Sequence, residues 1–319
     1  MKVTDCYINN YNINFQSYNK LYPKTNLPAS TSFYHDLPTL KEAVKILEHN
    51  FPNGADILIY AGSNGEEAIS VYSLLKNPKK YFIYSIDPFK EAIDYANRGI
   101  YAVHKFADDG FLINDNSNSG AQVKNNFLKC MQEIKKPSYD LNNYTDIIYR
   151  IRVLGINMEK FFSIKPTVKE GIKFVEGDIR DIKSFKTDRQ IGGIFFRNAL
   201  YHLTDNDLAG VFEYGKKPNM EINRSAILKD LTDKIYNKLA PNGIFVMGNH
   251  MQEHFYLADN HTPFYNQVVI NGKNFMTEPP HIKALIRNGH FKPCYEQDVK
   301  IQNDNSIKLP LIWQKNTPE

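Results

Sequence analysis

The chain has 319 residues, of which 42% are hydrophobic and 23% charged, so it can bury a core of normal size. The net charge of +4 is too small to indicate a nucleic acid or an anionic membrane surface as a partner. The cysteines Cys6, Cys130 and Cys294 are widely spaced, which favours a reducing compartment, and no apolar run approaches the ~20 residues of a membrane span. We therefore expect a cytoplasmic protein that does not insert into membranes, because the polar N-terminus lacks an apolar export signal.

The chain begins with a predicted arm and an amphipathic helix. Residues 1–30 are rich in Asn and Tyr and show no periodicity, which predicts an irregular arm before one domain at 31–319. A helix is expected to begin near Pro38, because proline suits a first helical turn and apolar residues follow at helical spacing. These apolar residues are Leu40, Ala43, Val44 and Leu47.

The next stretch has the pattern strand, glycine turn, helix. Residues 57–60 form an apolar run too short for a helix, residues 61–65 (AGSNG) form a turn, and a helix follows from Glu66. Gly62 and Gly65 would let the backbone approach a ligand closely, because a Cβ there would collide or forbid the turn. The alternative is a tight turn that binds no ligand.

A strand and a helix precede a segment in which the alternation of strands and helices stops. Residues 81–86 are predicted to be a buried strand that ends at Asp87, and residues 91–97 a helix closed by Gly99. Residues 102–170 then break the alternation, and we interpret them as a helical insertion or lid. Within it, residues 123–134 and 149–162 are predicted to be helical.

The α/β alternation resumes after the insertion and ends in antiparallel strands. Strands are predicted at 172–175, 193–196 and 244–247, with a long amphipathic helix at 222–239. A hairpin around Asn271 and Gly272, a short helix at 281–287 and strands at 291–296 and 309–313 follow. The fold class is therefore α/β, with a mostly parallel Rossmann-like sheet and antiparallel C-terminal strands.

Several short motifs, in order, resemble one enzyme family. They are TSFYH at 31–35, AGSNGEE at 61–67, ID at 86–87, AIDYANRGIY at 92–101, FRNAL at 196–200, and LAPNG at 239–243 followed by Met247 and Gly248. The chain is similar to the S-adenosylmethionine-dependent glutamate methyltransferases that modify chemotaxis receptors (CheR-like). The resemblance implies a class I methyltransferase sheet, S-adenosyl-L-methionine as cofactor with S-adenosyl-L-homocysteine as product, and a protein or small-molecule methyl acceptor.

The resemblance also assigns residues to the two ends of the cofactor. Asp87 would accept both ribose hydroxyls, since a carboxylate offers only acceptors; otherwise it caps the turn before Pro88. Glu66 would lie near the cofactor ammonium, although the helix dipole favours a carboxylate there in any case. Glu67 is expected to point elsewhere, because adjacent helical residues do not share a face.

The later strand ends supply the other predicted cofactor contacts. Asp178 would accept from the adenine amino group and Ile179 would pack on the ring; the alternative for Asp178 is a cap of the following turn. Asn198 would contact the cofactor carboxylate and amine, with Ala199 beside it. Asn198 could instead cap the next helix.

The acceptor side is less specific. Tyr201 and His202 follow the fourth strand and are the candidate catalytic residues, with His202 as a possible base; a packing role for His202 is the alternative. Arg98 and Arg197 could steer an acidic acceptor, and Arg197 could equally hold a structural carboxylate. Two departures from the family pattern are His35, in place of an Arg, and His202, in place of a Tyr.

Three rival functions stay open at this point. A nicotinamide-dependent oxidoreductase is disfavoured by the missing G-x-G-x-x-G and the antiparallel ending. A non-catalytic S-adenosylmethionine-binding module is compatible with the changes at His35 and His202. The sequence HMQEH at 250–254 fits an inverted zinc-protease motif. It directly follows a predicted strand, where a methyltransferase would have a loop, so we expect no metal.

Overall fold

The computed structural model describes residues 33–105, 111–112, 120–135, 158–203, 224–248, 267–270, 273–276, 280–300 and 306–317. The helices are α1 (Leu37–Asn50), α2 (Glu66–Leu74), α3 (Lys90–Arg98), α4 (Gly120–Cys130), α5 (Pro166–Lys169), α6 (Arg224–Lys238) and α7 (Pro280–Ile286). The strands are β1 (Asp56–Tyr60), β2 (Phe82–Asp87), β3 (Ile100–Lys105), β4 (Phe111–Leu112), β5 (Met131–Ile134), β6 (Met158–Ile164), β7 (Ile172–Glu176), β8 (Ile191–Phe196), β9 (Ile244–Val246), β10 (Gln267–Ile270), β11 (Lys273–Met276), β12 (Phe291–Lys300) and β13 (Ser306–Lys315).

A seven-stranded sheet forms the centre of the molecule, in the order β12-β13-β9-β8-β1-β2-β7. The five strands from β9 to β7 run parallel, whereas β13 runs antiparallel to both β9 and β12. This topology confirms the predicted mostly parallel sheet with antiparallel C-terminal strands. The predicted strands all occur, with ends that differ by a few residues, as expected for sequence-based boundaries.

The central strands are buried on both faces of the sheet. Every residue of β1 and β8 is buried, which explains why these strands read as nearly continuous apolar runs. Ile57 and Ile59 belong to one hydrophobic cluster and Leu58 and Tyr60 to another, because successive side chains of a strand point to opposite faces. The C-terminal end of β1 therefore lies between two packed layers.

The inserted segment corrects the predicted helical lid at 102–170. Its described part contains α4, α5 and a four-stranded antiparallel sheet in the order β4-β3-β6-β5. The helix predicted over 123–134 ends at Cys130, and the helix predicted over 149–162 is wrong where it is described, because residues 158–162 belong to β6. Periodicity cannot separate helix from strand in short apolar runs, and the adjacent Phe161 and Phe162 favour a strand.

The C-terminal predictions are confirmed. Strands β10 and β11 pair antiparallel as the expected hairpin, whose turn at 271–272 lies outside the described residues. Helix α7 and the long β12–β13 pair follow in the predicted order. Among the helices that the structure describes, none combines the length and apolar character needed to cross a membrane.

Candidate functional site

The glycine loop after β1 has an unusual backbone. Ala61 and Ser63 have φ angles of 54° and 48°, and Gly65 has a φ of 88° as the residue that precedes α2. Non-glycine residues with positive φ are uncommon, cost roughly 1–3 kcal/mol each and cluster at functional sites. The loop is closed by a 2.9 Å hydrogen bond from Gly65 N to Gly62 O.

The requirement for the two glycines comes from packing within the protein. A Cβ on Gly62 would overlap Oγ of Ser85, and a Cβ on Gly65 would overlap the ring of Phe174. Gly62 also donates a 3.1 Å backbone hydrogen bond to Ile86 O, so the loop lies directly on β2. A cofactor role for Gly62 and Gly65 stays a prediction, while their lack of side chains is explained without a ligand.

Asp87 ends β2 beside this loop and is 2% exposed. Its Oδ2 accepts a 2.8 Å hydrogen bond from Ser63 N, and its Oδ1 accepts a 2.9 Å bond from Phe89 N. Burial raises the pKa of Asp87 to about 6; the two backbone bonds oppose this shift, and the charge of Asp178 adds to it. A carboxylate has about four acceptor positions, so two remain for a ligand within the described structure.

The two glutamates that begin α2 are both largely buried. Glu66 is 3% exposed, whereas Glu67 turns to Arg197, whose Nη1 lies 2.8 Å from Oε2 of Glu67. Nη2 of Arg197 also lies 3.3 Å from Oδ2 of Asp36 and donates to the His35 carbonyl at 3.0 Å. Burial raises the pKa of Asp36 and of Glu67, and the Arg197 guanidinium opposes both shifts.

Arg197 therefore holds structural carboxylates and is not available to steer an acidic acceptor. Its side chain is 1% exposed, as is that of Asp36. The three charged residues Asp36, Arg197 and Glu67, which we call the clasp, join the segment before α1 to α2 and to the end of β8. Arg98, the other predicted steering residue, lies in the last turn of α3 with its guanidinium 5.4 Å from the centre of the Tyr95 ring.

Asn198 follows β8 in a left-handed conformation, with φ 55°. Its Nδ2 lies 3.3 Å from Nε2 of His35, and it donates to that nitrogen when the imidazole proton is on Nδ1. A Cβ on Gly248, just after β9, would overlap the Asn198 side chain. The site thus brings together His35 and the ends of two parallel strands.

The predicted cofactor contacts Asp178, Ile179 and Ala199 mostly interact with other parts of the protein. Oδ1 of Asp178 accepts from Arg180 N at 2.8 Å and from Arg180 Nε at 2.9 Å, and Oδ2 lies 2.6 Å from Nη2 of the same residue. Asp178 therefore caps the following turn, which was the alternative interpretation. Ile179 and Ala199 are 2% and 6% exposed and pack in the hydrophobic cluster that includes Tyr60.

The inserted sheet contacts the glycine loop directly. The hydroxyl of Tyr101, in β3, donates a 2.7 Å hydrogen bond to the Asn64 carbonyl. Phe33 packs edge-on against Tyr101 and Phe127, with ring centres 5.3 and 5.0 Å apart. Spacing along the chain gives no signal for this contact, so it could not be predicted from the sequence.

Three neutral polar atoms at this edge are buried without a hydrogen-bond partner among the described residues. They are the hydroxyl of Tyr60, Oδ1 of Asn64 and Oγ of Ser85. Buried polar groups are nearly always hydrogen-bonded, so such atoms indicate a missing ligand or water. Asn64 belongs to the glycine loop, and Tyr60 and Ser85 lie beside it on opposite faces of the sheet, at the edge where the fold would accept a nucleoside; the residues present therefore fit such a group.

The remaining candidates lie partly or wholly outside the described residues. Tyr201 and His202 belong to a short 3₁₀ turn at Leu200–Leu203, directly after β8, but their side chains are not described. His250 and His254 also lie outside. Across the described ranges no group of three or more His, Cys, Asp or Glu side chains is placed to hold a metal ion.

The strand order places a ligand crevice at this edge. Strands β2 and β7 lie on one side of β1 in the sheet, and the later strands β8 and β9 lie on its other side. The order in which the chain adds strands therefore reverses between β1 and β8. In open α/β sheets, ligands bind at the carboxyl ends of the strands where the order reverses. Together with the antiparallel β12–β13 ending, this order defines the class I methyltransferase fold.

Comparison with known proteins adds a fold similarity. No protein-family model and no curated protein matches the sequence. An S-adenosylmethionine-dependent methyltransferase from Methanosarcina mazei is 13% identical, with 85% of this chain and 97% of that chain covered and a TM-score of 0.36. The N-methyltransferase NodS from Bradyrhizobium japonicum is 13% identical, with 88% and 99% covered and a TM-score of 0.38. Magnesium protoporphyrin IX methyltransferase from Synechocystis is 9% identical, with 88% and 80% covered and a TM-score of 0.37. Similarity at this level carries no argument about function.

Proposed function

We propose that the protein is an S-adenosylmethionine-dependent methyltransferase whose cofactor binds at the carboxyl ends of β1, β2 and β8. The observation that carries this proposal is Asp87, a buried carboxylate at the end of β2 held against the glycine loop by Ser63 N. An acid at this position suits the two hydroxyls of a ribose. The buried polar atoms of Tyr60, Asn64 and Ser85 support a ligand at the same edge.

Methyl transfer mainly requires the protein to align the methyl donor with the acceptor and to exclude water. The cofactor supplies, when bound, a methyl group on a sulfonium cation. The loop at 61–65 and Asp87 would fix the nucleoside, and Asn198 and Glu66 would bind the charged amino-acid end. The clasp holds His35 and the segment before α1 against Asn198, so that this segment covers the end of β8.

The acceptor is proposed to be a carboxylate, on a protein glutamate as the CheR-like motifs suggest, or on a small molecule. A carboxylate is already ionised at neutral pH and needs no base. Tyr201 and His202 are proposed as the residues beside the acceptor, because they lie in the short turn that follows Asn198 and the end of β8. An amine or hydroxyl acceptor would require His202 as a base.

One second candidate is supported by a specific observation. Arg197 is held by Asp36 and Glu67 and is not available to an acceptor, and His35 stands where the family has an arginine expected to contact the cofactor. A binding module that retains the cofactor pocket without transferring methyl groups would have these features. The nicotinamide-dependent oxidoreductase is disfavoured by the antiparallel β12–β13 ending.

Titration calorimetry tests the proposal. The protein is titrated with S-adenosylmethionine, S-adenosylhomocysteine and NAD, and the same titrations are made with Asp87→Asn. We expect saturable binding of the two sulfur nucleosides, no binding of NAD, and weaker nucleoside binding by the variant. Binding of NAD alone would exclude the methyltransferase.

A transfer assay separates the enzyme from the binding module. Protein and methyl-labelled S-adenosylmethionine are incubated with cell extract, and the label is followed in both protein and small-molecule fractions. Label that accumulates as a base-labile methyl ester supports the carboxylate acceptor. Tight cofactor binding with no label in either fraction supports the module.

A further inference from the structure

Tyr60 is the last residue of β1, and its position across the sheet is fixed by register. It pairs with Ile86 of β2, which pairs with Val175 of β7. Tyr60, Ile86 and Ile179 belong to one buried cluster, with Val175 packed against it, so these side chains share a face of the sheet. The phenol of Tyr60 therefore lies on the same face as the turn that begins at Asp178.

The hydroxyl of Tyr60 has no hydrogen-bond partner in the described part of the chain. The residue is 2% exposed, so bulk water does not satisfy the hydroxyl either. Burial, and then the charges of Asp178 and Asp181, raise the pKa of Tyr60. The phenol is therefore a protonated donor, near two carboxylates that belong to the turn after β7.

Asp178 has one acceptor position left. Three N–H groups of Arg180 occupy its two oxygens, and a carboxylate has about four acceptor positions. A donor at Tyr60 and an acceptor at Asp178 match the edge of adenine, where the exocyclic amino group stands beside a ring-nitrogen acceptor. Guanine or hypoxanthine would instead turn a carbonyl oxygen towards the carboxylate.

We propose that Tyr60 recognises the purine of the bound nucleoside, its hydroxyl donating to a ring nitrogen of adenine while Asp178 accepts from the exocyclic amino group. This inference rests on the proposed function, because it concerns the base of the same nucleoside. It assigns adenine specificity to a residue at the end of β1, on the face of the sheet opposite to Ser85 and Ile83.

The test compares Tyr60→Phe with the wild-type protein in titrations of S-adenosylhomocysteine and its 1-deaza and 7-deaza analogues. We expect Tyr60→Phe to bind S-adenosylhomocysteine about 2- to 12-fold more weakly, the range of one net hydrogen bond. The wild-type protein should lose a similar factor with one deaza analogue, and Tyr60→Phe should lose nothing further with that analogue. Tyr84→Phe, on the same face of β2 but away from its end, is the matched control and should bind as the wild type does.

Thermal unfolding adds a readout that a purely structural tyrosine would not give. Without ligand, Tyr60→Phe should be as stable as the wild type or more stable, because it removes a buried hydroxyl that has no partner. With S-adenosylhomocysteine the variant should show the smaller stabilisation. If Tyr60→Phe binds all three nucleosides as tightly as the wild type, the inference is wrong and the methyltransferase proposal stands. If the wild-type protein binds none of them, both fail.

Discussion

The two edges of the central sheet differ in the polar groups that they carry. At the amino edge, a pocket of about 580 Å³ is lined by Tyr236, Asn288, Lys315 and their neighbours. One of its two lysines is engaged: Nζ of Lys315 donates to the carbonyls of Tyr236 and Leu239 at 2.7 Å each, which caps the end of α6. At the carboxyl edge, by contrast, Tyr60 and Ser85 bury hydroxyls that lack described partners.

Open volume alone does not identify a ligand site at the amino edge. Lys315 lies in the pocket, but both its hydrogen bonds are made within the protein, so this lysine has a structural role. The carboxyl edge carries buried donors and acceptors together with positive φ angles in the loop at 61–65. Buried neutral groups without a described partner are rare, so they point to a ligand or water.

The largest expected effect comes from opening the clasp. Arg197→Met would leave Asp36 and Glu67 buried without their counter-ion, at a cost of about 3–5 kcal/mol in the free energy of unfolding. Denaturant unfolding measures this loss. Lys45→Met, which breaks an exposed pair with Glu42, is the control and should change stability by less than about 0.5 kcal/mol. Equal effects of the two substitutions would show that the clasp contributes no more than a surface pair.

The next effect concerns the pH dependence of nucleoside binding. Burial raises the folded-state pKa of Asp87 to about 6, above the ~3.9 of an unfolded aspartate, so its contribution to stability is present at low pH and is lost as pH rises through 6. Ribose hydroxyls favour the ionised carboxylate, so binding should weaken as pH falls below 6, by up to about tenfold per unit. The measurement is the Kd of S-adenosylhomocysteine from about pH 5 to about pH 8.

The matched variant separates the titration of Asp87 from that of any other group. Asp87→Asn should bind roughly 10- to 100-fold more weakly at neutral pH and lose the midpoint near 6. A wild-type midpoint that persists in Asp87→Asn would assign the titration to another group. A flat wild-type profile would contradict ribose binding by the carboxylate.

A smaller effect tests why the loop needs glycine. Gly62→Ala places a methyl group on Oγ of Ser85 and should cost about 1–3 kcal/mol, typical of overpacking. The double variant Gly62→Ala with Ser85→Ala should recover part of the loss, because the second change removes the atom that is overlapped. If the two effects simply add in unfolding measurements, Ser85 is not the cause of the strain.

The smallest effect concerns the contact between the insertion and the loop. Tyr101→Phe keeps the ring but removes the hydrogen bond to the Asn64 carbonyl, which should lower stability by about 0.5–1.5 kcal/mol. Tyr95→Phe, whose ring contacts Tyr101, serves as a comparison. Should Tyr101→Phe also weaken S-adenosylhomocysteine binding while Tyr95→Phe does not, the insertion positions the loop.

The sequence predicted the parallel sheet well because its strands are short apolar runs bounded by glycine, proline or acids. It failed in the insertion, since residues 158–162 have no alternation that separates strand from helix. For the candidate site, it placed Asp87, Asn198 and the loop at strand ends, which is where the structure has them; their roles stay predictions. It did not find the clasp as a unit, because Asp36 and Arg197 are 161 residues apart and their contact depends on tertiary packing.

Tyr60 was missed for a related reason. Tyr60 is the last residue of an apolar run, so its position in the sequence predicts a core residue. Only the packed structure shows that its hydroxyl is buried without a described partner. Asp178 was identified at the correct strand end, but its engagement with Arg180 depends on side-chain geometry that spacing does not encode. The sequence thus predicts which residues lie at strand ends, but it does not predict whether their polar atoms have hydrogen-bond partners.

Hydrogen exchange with and without S-adenosylhomocysteine is the sharpest test of cofactor binding at the carboxyl edge, because it reports on both edges of the sheet at once. We expect new protection at residues 61–65 and 87–89 and no change at 288–292 and 315–317. Protection confined to the amino edge, or no protection at either edge at saturating nucleoside, would contradict it.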